Sequence, residues 1–306
     1  MLLKHLINPK PQIILSCIIL FIIVCGVPLC VSEGLLIQKN KIFVFIISFI
    51  LNIFLCVYIS LKLSNVIYTK NIIRKDNIIV GAVFVFLASA YIDKLFLLFS
   101  SFLMLLLLNE LIDSYQKENP FSQYFNASFI ISLLTFFYPN LFLLIFLLII
   151  NSINYSNFSW RILIIVLLGF LTPYSFYWIY SVLTEQSLLV PDFFNYSLKS
   201  VNFYLTKNIY AIVLIFILLM SLIELTNWLY KKSIKSRKTF MNIIWMLIIT
   251  CVIGFLSDLF YFYFTIIPLT IIISNYFIYS KKRKIANILF FIFIISSLLY
   301  NPLITF

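Results

Sequence analysis

The sequence predicts an all-α fold: a polytopic transmembrane helical bundle of about eleven spans, with the N-terminus cytoplasmic and the C-terminus external. Three observations predict it. Of the 306 residues, 63% are hydrophobic and only 10% are charged, whereas soluble domains carry roughly 25% charged residues. The apolar runs are long and do not alternate in polarity, which favours helices over barrel strands. Lysines and arginines fall in short clusters between these runs, as membrane topology signals do.

Individual spans are placed where about 20 apolar residues follow one another, the length of helix that crosses a bilayer. Two stretches, 78–114 and 122–154, are broken in the middle by Asp93-Lys94 and by Tyr138-Pro139-Asn140. Each is a full hairpin or a re-entrant hairpin, and the count falls to nine if each is one long helix. The predicted helices lie near residues 12–31, 42–63, 78–92, 95–114, 122–137, 140–154, 161–183, 208–229, 240–256, 259–279 and 285–303.

The orientation follows from the positions of the cations. The clusters at 231–238 and 281–284 both favour the cytoplasm, so the chain between them crosses an even number of times, with Ser257-Asp258 at its outer tip. All but five of the 22 lysines and arginines then lie inside. The external ones are Lys39, Lys41, Lys94, Lys199 and Lys207.

The chain is predicted to be one integral membrane domain, residues 1–306, because no soluble domain, internal repeat or linker interrupts the apolar runs. Its longest loop, 184–207, is predicted to be external. The mixture of aromatic and polar residues at 191–196 suits a segment that lies in the lipid headgroup layer, with an ordinary exposed loop as the alternative.

Composition also indicates which metals, cofactors and partners are not expected. His5 is the only histidine, and the five cysteines form no C-x-x-C pair, so we expect no metal site and no cofactor. The net charge of +12 is accounted for by the topology clusters, so we expect the lipid bilayer and no nucleic acid as a partner.

Ionisable residues at the predicted outer tips are the candidates for chemistry, because charge near the membrane is costly. If the tips converge, Asp93 and Asp258 are catalytic candidates as general acid or base, and Lys94 is a candidate phosphate ligand. The structural alternatives are that Asp258 caps the following helix and that Asp93-Lys94 forms a polar turn.

A family resemblance rests on the segment Phe121–Tyr180, in which Trp160-Arg161 leads into a span kinked at Gly169-Phe170-Leu171-Thr172-Pro173. The segment resembles an uncharacterised family of multi-pass inner-membrane proteins from Gram-negative bacteria, which has an acidic residue and a glycine where this chain has Asn126 and Ser128. The resemblance implies the bacterial inner (cytoplasmic) membrane. Members are sometimes labelled carotene oxygenases. Those enzymes hold iron with four histidines, whereas this chain has one histidine, so the label does not fit it.

More loosely, a helix pair followed by a basic turn and a proline-kinked span is similar to the membrane half of glycosyltransferases that use polyprenyl-phosphate sugars. This similarity implies a polyprenyl-phosphate lipid as a partner. Those enzymes carry a large first external loop with an acidic motif, whereas the loop here, 32–41, is short and offers only Glu33.

Three functions therefore stay open at the level of sequence. The first is a non-catalytic scaffold or assembly factor of the cell envelope, with envelope proteins as partners. The second is an envelope enzyme that handles lipid-linked sugars through Asp93, Lys94 and Asp258. The third is a transporter, a class in which internal repeats are common.

Overall fold

The computed structural model describes residues 2–7, 9–34, 42–89, 94–185, 205–257 and 259–300. Over these residues the predicted all-α fold is confirmed, and the only β pairing among them is an isolated bridge between Ile7 and Asn77. Their α-helices are α1 (Leu2–Leu6), α2 (Pro11–Gly34), α3 (Ile42–Thr69), α4 (Ile79–Ala88), α5 (Leu95–Asp113), α6 (Phe121–Phe137), α7 (Ile145–Asn154), α8 (Trp160–Leu183), α9 (Leu205–Leu229), α10 (Ile234–Leu256), α11 (Ile266–Tyr279) and α12 (Arg283–Tyr300).

Six helical stretches within the described ranges are long and apolar enough to cross a membrane. The number of crossings, nine to eleven, stays a prediction. Of the predicted outer loop, 186–204 lies outside the described residues. The six stretches are Ile46–Thr69, Leu95–Asp113, Trp160–Leu183, Ile209–Leu229, Ile234–Leu256 and Phe260–Tyr279.

The chain divides into two compact units. Unit 1 comprises residues 1–102, 201–232 and 266–306, and unit 2 comprises residues 103–200 and 233–265. In unit 1, α11 lies at the core: its residues 266–278 are all buried. A helix that is apolar on every side buries every side, which explains this position. In unit 2, α6 packs along α8.

Two 3-10 segments lengthen the helices that follow them. Pro139–Leu144 leads into α7, and Leu259–Thr265 leads into α11. Because a 3-10 helix rises about 2.0 Å per residue and an α-helix about 1.5 Å, the combined stretches reach about 27 Å and about 35 Å. Both lengths are close to the hydrocarbon thickness of about 30 Å. The 3-10 geometry thus supplies length that an α-helix of the same residues lacks.

The helix α4 is short and enclosed. Its ten residues are all buried, and they span only about 15 Å. Gly81 allows a close approach to α3, because a Cβ there would lie 3.0 Å from the carbonyl oxygen of Ser60. Whether this part of the chain forms a full or a re-entrant hairpin stays a prediction; the second form requires protein around the short helix.

Segments predicted to share the cytoplasmic side contact one another in unit 1. The backbone N–H of Leu3 donates to Asn287 Oδ1 at 3.3 Å, and that of Ile78 donates to the Leu6 carbonyl at 3.2 Å. These contacts join α1 to the start of α12 and to the start of α4.

Candidate functional site

The three residues singled out as candidates for chemistry are only partly described. Asp93 and Asp258 lie outside the described residues. Lys94 is exposed directly before α5, and its carbonyl oxygen accepts the N–H of Leu97 at 2.9 Å. Because Lys94 belongs to unit 1 and Ser257 to unit 2, convergence of the two tips stays a prediction.

The end of unit 2 that is predicted to face outward brings together two turns that are far apart in sequence. Asn140 Nδ2 donates to Ser257 Oγ at 2.7 Å. Asn140 is buried, and its Oδ1 has no hydrogen-bond partner among the described residues. The ring of Tyr138 packs against Phe260 and Phe264, with centroids 5.7 and 5.0 Å apart. Ser257, directly before Asp258, therefore sits in an aromatic and amide-lined corner.

The opposite end of unit 2 contains a buried network of neutral polar groups centred on Asn151 of α7, whose side chain is fully buried. Its Nδ2 donates to Ser114 Oγ at 3.0 Å and to the Tyr124 hydroxyl at 3.2 Å. Its Oδ1 accepts a hydrogen bond from Asn242 Nδ2. One amide thus ties α7 to α6, to α10 and to the turn after α5.

The network continues along α10. Asn154 Nδ2 donates to Asn242 Oδ1 at 2.6 Å and to the Lys238 carbonyl at 2.9 Å. Asn151 and Asn154 are three residues apart and so share one face of α7. The Tyr155 hydroxyl lies 3.5 Å from Thr239 Oγ1. We call this set, with Ser114 and Tyr124, the asparagine network.

The asparagine network joins helices through neutral hydrogen-bonding groups. Its amides and hydroxyls are neutral at physiological pH and pair with one another. Burial raises the pKa of Tyr155 above its ordinary value, although hydrogen bonds from Thr239 and Asn242 act in the opposite direction. The phenol therefore stays protonated, and the network holds helix ends in register.

The kink motif in α8 forms a close helix crossing. A Cβ at Gly169 would collide with Ser128 Oγ and would lie 2.7 Å from the Phe125 carbonyl oxygen. Pro173 lacks the N–H that would pair with the Gly169 carbonyl four residues earlier, and Thr172 Oγ1 donates to that carbonyl at 2.9 Å instead. The freed carbonyl is thus satisfied within the helix, which favours a structural role for the kink.

Trp160 and Arg161, the other part of the resemblance, lie at the start of α8 beside an open cleft of about 520 Å³. Ser159 caps this helix, because its Oγ accepts the N–H of Ile162 at 3.4 Å. Glu118 also lines the cleft. Trp160 is 78% exposed, as tryptophans at a membrane interface commonly are.

The sequence prediction missed the asparagine network. A signal for it exists in the sequence, because an asparagine within an apolar segment is unfavourable unless its amide forms hydrogen bonds. The asparagines concerned are Asn151, Asn154 and Asn242. An asparagine-rich composition hides that signal in this chain, and the pairing itself spans about ninety residues between α7 and α10.

Comparison with known proteins agrees with an uncharacterised family. A family model described as a family of unknown function (DUF6427) matches residues 1–305. No curated protein and no solved structure matches the chain. The match extends far beyond the segment Phe121–Tyr180 that first indicated a family.

Proposed function

Since the chain belongs to DUF6427, a family of unknown function, we propose from its own residues that it is a non-catalytic scaffold or assembly factor of the cell envelope. We place it in the bacterial inner (cytoplasmic) membrane as a multi-pass protein. Its partners on this proposal are the bilayer and other envelope proteins.

The asparagine network is the observation that supports a scaffold. A buried network whose members are neutral and mutually paired rigidifies the helices that it joins. In unit 2 it fixes the ends of α7 and α10, while the Gly169 crossing fixes α6 against α8. Rigid helix ends suit a protein that presents a fixed surface to partners.

A discriminating experiment removes the outer carboxylates. In a deletion strain, the double variant Asp93→Asn, Asp258→Asn is expected to restore growth and envelope integrity as well as the unaltered chain, because a scaffold needs no general base. The matched control is Glu33→Gln, Asp192→Asn, which removes the same charge on the same predicted side. Loss of complementation in the first variant alone would contradict the scaffold proposal.

A second measurement addresses the partners. After extraction from native membranes with a mild amphipol or copolymer, the particle is expected to have a mass well above that of one 36.0 kDa chain with its lipids. A strictly monomeric particle free of other proteins would count heavily against an assembly role.

One observation favours a second candidate, an envelope enzyme that handles polyprenyl-phosphate sugars. The buried Asn140 Oδ1 is an acceptor without a partner among the described residues, and the Asn140 amide is bonded to Ser257, the residue before the proposed general base Asp258 in the chain. On this candidate a sugar hydroxyl donates to Asn140 Oδ1. Lys94, which belongs to unit 1, stays a separate prediction as the ligand of the lipid phosphate. On this candidate, Asp258→Asn abolishes turnover of a lipid-linked sugar by purified protein while its thermal stability is unchanged.

A further inference from the structure

Unit 1 contains a group of cationic and aromatic side chains at the end that is predicted to face the cytoplasm. Lys232 Nζ lies 4.6 Å from the ring centroid of Trp228 and 5.2 Å from that of Tyr279. Lys75 Nζ also lies 5.2 Å from the Tyr279 ring. The backbone N–H of Arg74 donates to the Tyr279 hydroxyl at 3.1 Å. We call these five residues the cation–aromatic cluster.

The loop that presents Arg74 and Lys75 is held by hydrogen bonds on both sides. Asn77 Nδ2 donates to the Lys75 carbonyl at 2.7 Å, and Asn77 Oδ1 accepts the N–H of Val80 in the first turn of α4 at 3.3 Å. Before the loop, the N–H of Ile72 donates to the Ile67 carbonyl at 3.1 Å. The backbone beneath both cations is therefore preorganised, which lowers the entropic cost of binding.

The electrostatic field at Lys232 is positive. The pKa of Lys232 lies below its ordinary value because of burial first, and then because of the charges of Arg74 and Lys75. Two carboxylates, Asp76 and Glu224, also lie nearby in sequence. The cluster therefore holds cations that repel one another.

The ligand that fits this arrangement is an anion with several oxygens. Two half-buried ammonium groups and the guanidinium of Arg74 offer many donors, and phosphate accepts charge-assisted hydrogen bonds from lysine and arginine. Trp228 and Tyr279 lie near the ends of α9 and α11, where interfacial aromatic residues meet the headgroup layer.

We propose that the cation–aromatic cluster binds a phosphate group, either in the headgroup of an anionic lipid or as free phosphate. This site is separate from Lys94, which lies beyond the opposite end of α4. Bound phosphate offsets the repulsion among the three cations and joins the loop before α4 to the ends of α9 and α11.

The test uses the full chain in detergent and native mass spectrometry with dioctanoyl phosphatidic acid as the probe. The double variant Lys75→Gln, Lys232→Gln is expected to bind the lipid at least about tenfold more weakly, because two charge-assisted contacts are lost. The control Lys281→Gln, Lys282→Gln removes two exposed cations from the same predicted side and is expected to bind as the unaltered chain does. Equal losses in both variants, or no loss in either, would overturn the proposal.

Two further arms identify the source of the phosphate. Dioctanoyl glycerol, which lacks the phosphate, is expected not to bind at the cluster. Binding of dioctanoyl glycerol as tight as that of dioctanoyl phosphatidic acid would overturn the proposal. Displacement of the lipid by millimolar inorganic phosphate identifies free phosphate as a ligand, and resistance to displacement identifies the lipid headgroup. If the double variant loses thermal stability, the single variants Lys75→Gln and Lys232→Gln decide, each being expected to bind several-fold more weakly than the control.

Discussion

Gly169 sets the distance between α6 and α8. No side chain fits there, because the backbone of Phe125 and the side chain of Ser128 occupy the space that a Cβ would need. Small residues at both positions let two membrane helices approach closely and exchange van der Waals contacts.

Gly169→Ala is expected to destabilise the protein by about 1–3 kcal/mol, because backbone must move to admit the methyl group. The measurement is the midpoint of thermal unfolding in detergent. The control is Gly26→Ala, whose added Cβ would meet only side-chain carbons at ordinary contact distance, 3.5 Å from Phe49. Equal midpoints for the two variants would refute the proposed crossing.

Two buried asparagines differ in whether their side-chain amides form hydrogen bonds, so they can show how much those bonds stabilise the protein. Asn151 and Asn275 are both fully buried, but Asn151 makes three side-chain hydrogen bonds, and neither amide atom of Asn275 has a partner among the described residues. The same substitution at the two positions is therefore expected to have opposite effects.

Asn151→Leu is expected to lower the free energy of unfolding by about 2 kcal/mol, since membrane hydrogen bonds contribute about 0.6 kcal/mol each. Asn275→Leu is expected to raise it by about 1 kcal/mol, because the cost of burying an unpaired amide is removed. Both are read from chemical or thermal unfolding of purified protein. A fall in stability for Asn275→Leu would show that its amide has a partner in the folded protein.

At the scale of elements, α2 and α3 are joined by a contact between two thiols. Cys25 and Cys56 are both fully buried, with their sulfur atoms 3.3 Å apart. Each helix alone reads as an uninterrupted apolar run, so the sequence indicates no pairing between these cysteines. The contact fixes which faces of the two helices meet.

Treatment of membranes with copper phenanthroline, an oxidant, is expected to join Cys25 to Cys56, because a small shift brings the sulfurs to bonding distance, about 2.05 Å. The readout is the loss of two maleimide-reactive thiols in the denatured chain, measured by mass. Cys25→Ser should retain all its remaining thiols under the same treatment. Retention of all five thiols in the unaltered chain would contradict the packing of α2 on α3.

The helix α10 begins earlier than the hydropathy of the sequence predicts. Its predicted start was residue 240, the first residue of the apolar run, whereas the helix begins at Ile234. The added turns contain Lys235, Arg237 and Lys238. A helix continues beyond the hydrocarbon because its hydrogen bonds are internal to the segment, so hydropathy marks the membrane boundary and not the helix end.

For the whole molecule, the predicted orientation has a direct test. In a cysteine-free background, a single cysteine at position 192 is expected to react with an impermeant maleimide added to intact cells, and single cysteines at 235 and 282 are expected not to react until the cells are opened. Labelling of 235 and 282 with 192 silent would reverse the topology.

The sequence by itself determined that the chain is helical and roughly where each helix lies, and it predicts which segments share a side of the membrane. These properties follow from composition and local charge, because lipid leaves backbone polar groups no partner except the helix itself. The 3-10 starts before α7 and α11, and the short buried α4, needed the structure because they depend on what surrounds them.

Only the tertiary structure decided which polar side chains meet. The asparagine network joins Asn151 to Asn242, a second contact in unit 2 joins Asn140 to Ser257, and the cation–aromatic cluster joins the loop at Arg74 to Tyr279. Each pair is about ninety or more residues apart, and no local pattern encodes such partners. Helix packing selects them, since a buried amide or a cation near lipid is stable only where another helix supplies its counterpart.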